Sequence, residues 1–401
     1  MRKRNKKILF AISGGIAAYK APDILHGWVK QGFEVETILT NSAASFVSPL
    51  ALSTLSGKAV WTDADFLSSE RGFKIPHISL AEWADIIVIA PCTANALRIA
   101  ATGDASTLLG ATLVASRKPV VIFPAMNSNM LEHPATQENI KACKKLGYTV
   151  VDPDTGTLAC GTEGKGRLPG ADAIYENVWR ALCPKKELVG KRVLVTAGPT
   201  HEYIDPVRFI SNPSTGKMGC ALAKEAWYRG ACVTLVLGPC NQSVPPEIEK
   251  ISVTTAREMY DACMERQKSQ DIIIKAAAVG DFRAAQTAGA KIKRENKDTF
   301  SIDFVQNQDI AAELGKNKPK GQVLVGFAAE TNEHVTNAEK KIASKNLDFI
   351  AVNDVLREGA GFGCDTNIIT LISNDGIKTE ISGSKEEVAC GIFDAIVSKL
   401  S

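Results

Sequence analysis

No apolar run in this chain of 401 residues reaches the roughly 18 residues that a membrane-spanning helix needs. The ten cysteines, at 92, 143, 160, 183, 220, 232, 240, 263, 364 and 390, include no CxxC pair and no His/Cys cluster at zinc spacing, which argues against a structural zinc site. Disulfide frameworks belong to chains too short to bury a core, and this chain is not one. A reducing, cytoplasmic compartment fits this cysteine usage. Neither sign of charge dominates: 47 basic and 44 acidic residues leave a formal charge of +3, dispersed along the chain. That excludes the dense footprint of a nucleic-acid binder and leaves small anions as the expected partners. Internal repeats and low-complexity tracts are missing too. The opening MRKRNKKILFAISGGIAA has the charged and apolar regions of a secretory leader, but Gly14-Gly15 interrupts it and Lys20 follows closely, so no leader is expected.

What the chain does have is two beginnings. Residues Lys7–Lys20 (KILFAISGGIAAYK) and Lys191–Thr200 (KRVLVTAGPT) each place a basic residue before an apolar, β-like run that ends in a small-residue turn. A strand running into a glycine-bearing turn exposes backbone N–H groups that can hold a phosphate, so two nucleotide-type sites are expected. Length agrees, because each half, about 200 residues, is large enough to bury its own core. The expected division is 1–190, including a linker at CPKKELVG (183–190), and 191–401.

The first half alternates β-branched runs with helix-period stretches, the pattern of a parallel sheet covered by helices. Strands are expected at Ile8–Ile12, Glu34–Leu39, Asp85–Ala90, Val120–Pro124 and Thr149–Val151. Helices are expected near Ala17–Lys30, Ala94–Ala101, Thr107–Ser116, Gln137–Leu146 and Ala173–Leu182. Pro153–Gly170 (PDTGTLACGTEGKGRLPG) fits neither period and reads as an irregular, mobile flap. In the second half strands are expected at Arg192–Ala197, Cys232–Leu237, Asp271–Ala276, Val323–Phe327 and Phe349–Val352, with helices near Met218–Arg229, Ala256–Lys268 and Val335–Lys345. Ile368–Ser373 and Ile377–Ile381, joined by Asn374-Asp375-Gly376, read as a hairpin. The fold class is therefore α/β in two domains.

After the first strand, Ser13-Gly14-Gly15 opens a helix whose N-terminal N–H groups favour an anion, although glycine in a plain strand-to-helix turn explains the same residues. Thr40-Asn41-Ser42 and Pro91-Cys92-Thr93-Ala94-Asn95 close the next strands, at the carboxyl edge where open α/β sheets bind ligands. His77, in IPHISLAEWAD just before a strand, suits proton transfer near neutral pH, but a lone histidine is more often structural. Asn127, in PAMNSNM, offers an amide to a carboxylate, or forms an Asx-turn. Cys160 lies on the flap between Ala159 and Gly161, where a thiol stays accessible, whereas Cys143 and Cys263 sit in helix-period segments as inert packing.

Together SGGIAAYK, PHISL, PCTANA, PAMNSNM and CGTEGKGRL, spread over residues 7–182, resemble the flavin-dependent cysteine decarboxylase family. The resemblance implies a flavodoxin-like sheet, FMN held near Ser13, Gly14, Gly15, Thr40, Thr93, Ala94 and Asn95, and a functional trio of His77, Asn127 and Cys160. It implies that FMN oxidises a substrate's cysteinyl thiol to a thioaldehyde with His77 as base, after which the sulfur accepts the electrons released as carbon dioxide leaves. Asn127 would bind the departing carboxylate and Cys160 would protonate the enethiolate. Two departures stand out: Leu131, where relatives usually carry Trp, and Ser106-Thr107, where they usually carry a paired Asp. The first is expected to alter packing alone, the second to touch flavin or subunit contacts.

Residues 196–219, TAGPTHEYIDPVRFISNPSTGKMG, contain no GxGxxG, and Gly216-Lys217-Met218 lacks the rest of a P-loop, so dinucleotide and Walker readings are disfavoured. With KAAAVGDFR (275–283), KIKR (291–294), NQDIAAEL (307–314), VGFAAET (325–331) and KKIASKNLD (340–348), this half resembles the phosphopantothenate–cysteine ligase family. That resemblance implies a Rossmann-like sheet with an added hairpin and a two-step reaction: the carboxylate of 4′-phosphopantothenate attacks CTP, releasing pyrophosphate, and the amine of L-cysteine then displaces CMP. It assigns Lys291 to acyl-cytidylate formation and Asn212 to the passage of that intermediate to product. It places CTP near Lys275, Ala276, Ala277, Asp281, Lys291, Gln308, Asp309, Ile310, Ala311, Phe327, Lys341 and Lys345. Lys341 and Lys345, four apart, share one helical face, which without the resemblance reads as a solvated basic surface. Mg²⁺ on the phosphates is chemically expected, with no protein ligand legible from spacing. Gly280, where relatives carry Ala, leaves Asp281 in place and is expected to be tolerated.

The combined expectation is a bifunctional enzyme of coenzyme A biosynthesis in which the ligase product, 4′-phosphopantothenoylcysteine, is decarboxylated to 4′-phosphopantetheine. By resemblance, the decarboxylase domains form trimers and the ligase domains dimers, which combine to a dodecamer. Two other classes compete. A non-catalytic regulatory relative of the decarboxylase fold is disfavoured by His77, Asn127 and Cys160, and a flavodoxin-like electron carrier has no need of residues 191–401.

Overall fold

The structure is a computed structural model that describes residues 6–293, 301–330, 334–354 and 363–400. It divides into two compact units between Pro184 and Lys185. The first unit runs β1 (Lys7–Ile12), α1 (Ala21–Lys30), β2 (Glu34–Leu39), α2 (Pro49–Ser56), α3 (Asp63–Phe66), α4 (Pro76–Trp83), β3 (Ile86–Cys92) and α5 (Ala94–Thr102). It continues with α6 (Leu108–Ala115), β4 (Val120–Pro124), α7 (Ser128–Glu132), α8 (Pro134–Lys145), β5 (Thr149–Val150), β6 (Asp154–Thr157), β7 (Glu163–Arg167) and α9 (Ala171–Leu182). Five strands pair in the order β2-β1-β3-β4-β5, all parallel, with Ile8 opposite both Val35 and Ile86. This is the flavodoxin-type order, whose switch point lies between β1 and β3.

Helices cover both faces, so the central strands are apolar on both sides. Side chains alternate across the sheet. Phe10, Val88 and Phe123 therefore meet Trp28 of α1 and Val178 of α9, while Leu9, Ile87 and Ile122 meet Leu97 of α5 and Leu109 of α6. Three local expectations need correction. The helix expected over Ala17–Lys30 is a single 3₁₀ turn at Ile16–Lys20 followed by α1, which starts where Pro22 tolerates a first-turn position. Pro153–Gly170 is not irregular, because β6 and β7 form an antiparallel hairpin within it. IPHISLAEWAD does run directly into β3, but it holds a helix not among those expected, and His77 stands in the first turn of this α4, after Pro76.

The second unit contains β8 (Arg192–Ala197), β9 (Glu202–Tyr203), β10 (Phe209–Ile210), α10 (Lys217–Tyr228), β11 (Cys232–Leu237), β12 (Glu249–Ser252), α11 (Ala256–Arg266), β13 (Ile272–Lys275), β14 (Phe282–Ala284) and β15 (Phe304–Gln306). After these come α12 (Ile310–Lys316), β16 (Val323–Glu330), α13 (His334–Ser344), β17 (Phe349–Asp354), β18 (Thr366–Ser373), β19 (Lys378–Ser384) and α14 (Lys385–Leu400). The main sheet runs β12-β11-β8-β13-β16-β17-β18-β19. Its first six strands are parallel in the Rossmann order, and β18 and β19 add the antiparallel hairpin. The switch point falls between β8 and β13. Two ribbons, β9/β10 and β14/β15, stand apart from this sheet. Leu188, in the stretch read as linker, is fully buried in the second unit's core. α14 has no counterpart among the expected helices, yet its buried Val388, Ala389, Ile392, Phe393 and Ile396 repeat with helical period.

Candidate functional site

In the first unit a cavity of about 1020 Å³ opens at the carboxyl ends of the strands, around the β1/β3 switch point. Its volume matches the upper range of small-molecule and cofactor sites. Ser13, Gly14, Gly15, Thr40, Thr93, Ala94 and Asn95, the residues expected at the flavin, all line it, as do Asn127 and Cys160. The Ser13 hydroxyl donates to the Pro91 carbonyl at 2.7 Å and accepts from the Thr93 N–H at 2.9 Å, tying together the ends of β1 and β3. Thr93 caps α5 through Ala96 N–H, so the helix directs its N-terminus to the same edge. A Cβ on Gly14 would lie 2.2 Å from Cβ of Ser42 and 2.9 Å from N of Ala43. Only glycine permits this close approach. A cavity of this size with a bare backbone cradle fits a flavin nucleotide.

The opposite wall is the β6/β7 hairpin. It is fastened to the PAMNSNM loop where Met126 N–H donates to the Gly166 carbonyl at 3.0 Å and the Ser128 hydroxyl to the Lys165 carbonyl at 2.8 Å. A Cβ on Gly166 would sit 2.1 Å from the Met126 carbonyl oxygen, and one on Gly164 2.3 Å from Ser128 Oγ. The glycines of the flap thus serve contact rather than looseness. This docking brings Asn127 Nδ2 to 3.4 Å from Cys160 Sγ. Asn127 Oδ1 meanwhile accepts from Asn129 N–H at 2.9 Å, so the Asx-turn forms while the amide nitrogen stays on the cavity beside Cys160. Cys160 is exposed, with Thr162 Oγ1 at 3.1 Å. The Thr162 hydroxyl, its backbone N–H and the Asn127 amide hold the thiol's pKa below its ordinary value. Buried Cys143 moves the other way, pushed up to about 11 by desolvation.

His77 is not brought to this cavity within one chain. It packs edge-on against Phe66 of α3, ring centroids 5.4 Å apart, with Nδ1 buried and no hydrogen-bond partner among the described residues. Asp63, at the start of the same α3, does line the cavity and accepts from Leu108 N–H at 3.0 Å. Of the two departures, Leu131 is buried, while Thr107 caps α6 through Gly110 N–H and also lines the cavity, on the side of the flavin contacts expected of it. Lys20 and Arg167 also line the cavity and were not singled out. Lys20 ends SGGIAAYK and Arg167 is the last residue but one of CGTEGKGRL, so both cations lie within the motifs that mark the site. Desolvation and then the Arg167 charge lower the Lys20 pKa, with Asp154 opposing.

At the second switch point the segment after β13 is pinned by residues at the end of β8 and just beyond it. Ala277 N–H donates to Thr196 Oγ1 at 3.1 Å and Gly280 N–H to Thr200 Oγ1 at 2.9 Å. Asn212 Nδ2 donates to the carbonyls of Ala278 and Val279, at 3.2 and 3.1 Å. Asp281 joins this segment to NQDIAAEL by accepting from Asn307 N–H at 2.8 Å through its carbonyl. Lys345 and Asp309 form an ion pair at 2.7 Å, and Asp309 also caps α12 through Ala312 N–H. Burial would raise the Asp309 carboxyl, but Lys345 and the cap hold it below the usual range. Lys275 is half-buried at the end of β13; desolvation lowers its pKa, the nearby Asp309 opposes this and Lys345 adds to it. Ile310 and Ala311 are buried at the start of α12, and Phe327 is half-buried at β16. Gln308 is exposed beside them, Lys341 lies half-buried on α13, and Lys291 is exposed on the loop after β14. No group of three or more metal-binding side chains occurs among the described residues.

These features define a two-unit α/β protein, one unit of flavodoxin order and one of Rossmann order, each with a candidate site at its switch point. The Flavoprotein family matches residues 1–182, and the DNA/pantothenate metabolism flavoprotein C-terminal domain matches residues 188–400. The chain is 43% identical to the Coenzyme A biosynthesis bifunctional protein CoaBC of Bacillus subtilis (strain 168), over 98% of this chain and 97% of that one. To the protein of the same name from Escherichia coli (strain K12) it is 39% identical, over 100% of this chain and 98% of that one. A solved C-terminal domain of a Coenzyme A biosynthesis bifunctional protein CoaBC is 38% identical over 54% of this chain and 98% of that one, with a TM-score of 0.46. The chain belongs to the family of bifunctional coenzyme A biosynthesis enzymes, whose first domain is a flavoprotein.

Proposed function

We propose that residues 185–401 ligate L-cysteine to 4′-phosphopantothenate with CTP, and that residues 1–184 decarboxylate the product to 4′-phosphopantetheine with FMN. The contact between Asn127 and Cys160 on the glycine-cradled cavity carries the decarboxylase reading. When bound, FMN supplies the reversible two-electron oxidation of the substrate thiol. Ser13, Gly14, Gly15, Thr40, Thr93, Ala94 and Asn95 hold it. The Asn127 amide orients the carboxylate that leaves, and the lowered pKa of Cys160 suits its Sγ to hand a proton to the enethiolate carbon. Lys20 and Arg167 offer cations to the anionic ends of the ligands.

His77, the base of this reading, comes from a second copy, which gives the expected trimer a chemical reason: one chain holds the amide and thiol but not the imidazole on its cavity. In the second unit, Lys275, Lys291, Lys341 and Lys345 offset the charge of a triphosphate meeting a carboxylate, which otherwise repel one another. Mg²⁺ would arrive with the triphosphate and offset part of its charge. Dimerisation of the second units, assembly to a dodecamer and a cytoplasmic location complete the reading. No helix among the described residues is long and apolar enough to cross a membrane.

The test supplies the purified chain with phosphopantothenate, CTP, Mg²⁺ and cysteine labelled at its carboxyl carbon. Labelled carbon dioxide that depends on CTP is expected. CMP release without any labelled gas, from protein carrying its flavin, overturns the decarboxylase half.

A further inference from the structure

Asp205 lies in YIDPVR, where Asp followed by Pro is the ordinary start of a tight turn. The turn forms: Asp205 Oδ1 accepts from the N–H groups of Val207 and Arg208, both at 2.8 Å. A turn residue of that kind is usually wet, yet Asp205 is 0% exposed. Its second oxygen reaches out of the turn. Oδ2 accepts from Arg208 Nε at 2.9 Å, from Arg208 Nη2 at 2.6 Å and from the backbone N–H of Ile292 at 3.2 Å. Arg208 Nη2 also donates to the Ile292 carbonyl at 2.7 Å. Both backbone groups of Ile292 are thus held by one ion pair, a buried carboxylate with a half-exposed guanidinium, 84 to 87 residues earlier in the chain. Two further bonds join the same strands of chain, Ala288 N–H to the Ile204 carbonyl at 2.9 Å and Thr287 Oγ1 to the Tyr203 carbonyl at 3.2 Å.

Ile292 is the immediate neighbour of Lys291, an exposed lysine on a segment without helix or strand. We infer that Asp205 is a positioning residue for the ligase reaction: through Arg208 and Ile292 it fixes the backbone that presents Lys291. The inference rests on the proposed role of Lys291 in acyl-cytidylate formation. A buried carboxylate is tolerated only when paired and hydrogen-bonded, and a change at Asp205 removes the acceptor that Arg208 and the Ile292 N–H share, releasing both together. Burial alone would raise this carboxyl's pKa, but the Arg208 guanidinium and the N–H groups of Val207, Arg208 and Ile292 hold it well below the usual range.

The test is a double-mutant cycle on the full chain, reading pyrophosphate release from CTP and phosphopantothenate without cysteine. Asp205→Asn is expected to lower the rate at least tenfold with KM for CTP changed less than threefold, and Asp205→Asn with Lys291→Ala to be no slower than Lys291→Ala alone, because residues acting through one another are non-additive. Independent losses that multiply in the double variant overturn the inference, as does full activity in Asp205→Asn. Full activity in Lys291→Ala sinks instead the reading on which it rests. Hydrogen exchange of the peptide spanning 288–293 separates positioning from misfolding. Asp205→Asn is expected to speed exchange there while peptides of β8 and β13 keep wild-type protection, and unchanged exchange at 288–293 contradicts the latch.

Discussion

Asn127 Nδ2 lies 3.4 Å from Sγ of Cys160, although the two residues are 33 positions apart and on different elements. The amide heads α7 and the thiol tops the β6/β7 hairpin, so the pair exists only while the hairpin is docked. The Thr162 hydroxyl completes the thiol's surroundings.

That arrangement fixes a sign. A hydrogen bond to the thiolate favours the charged form, so the thiol loses its proton at lower pH than an ordinary cysteine. Thr162→Val is expected to shift the pH dependence of Cys160 alkylation upward, since the largest contributor is removed. A downward or absent shift contradicts the assignment.

The position of His77 makes its own prediction. His77→Asn is expected to abolish carbon dioxide release, and Cys160→Ala to stop the reaction at the decarboxylated enethiol, so neither forms 4′-phosphopantetheine, the product followed here. Mixed after reversible dissociation in equal amounts, they should recover roughly a quarter of wild-type activity, because random association in a symmetric ring pairs an intact imidazole with an intact thiol at that frequency. If one chain builds the whole site, mixing restores nothing.

Gly14 tests the cradle. Gly14→Ala places a methyl group 2.2 Å from Cβ of Ser42, so the turn after β1 must shift. Purified Gly14→Ala protein is expected to lose most of its flavin absorbance while keeping ligase activity, and full flavin occupancy would show that the turn is not part of the cofactor site.

How much of this was legible beforehand depended on whether the signal was local. β1, β3 and β8 read directly, because buried parallel strands are continuous apolar runs, and the hairpin of β18 and β19 read from its Asp-Gly turn. The β6/β7 hairpin did not, because its glycines answer to Met126 and Ser128, partners distant in sequence. The surroundings of His77 were hidden for the same reason: α3 and α4 are short, and their packing depends on Phe66 and on α6 rather than on a period. Asn127 and Cys160 each stand in a recognisable motif, and the contact between them is a product of tertiary docking.

Stability should follow the two-unit division. Trp28 is fully buried between Phe10, at 5.1 Å between ring centroids, and Tyr175, at 5.6 Å. Trp28→Ala is expected to destabilise the first unit by about 3–5 kcal/mol. Calorimetry should show one transition lowered and the other unmoved. Because Trp28 Nε1 has no hydrogen-bond partner among the described residues, Trp28→Phe should cost much less.

The division of chemistry between the two units is tested most directly by following three products in one preparation. Asn212→Ala is expected to release no CMP from phosphopantothenate, CTP and cysteine, yet to form carbon dioxide from added phosphopantothenoylcysteine at the wild-type rate. His77→Asn is expected to do the reverse, releasing pyrophosphate and CMP while forming no carbon dioxide. Loss of both activities in either variant, with its fold and flavin intact, would contradict the account.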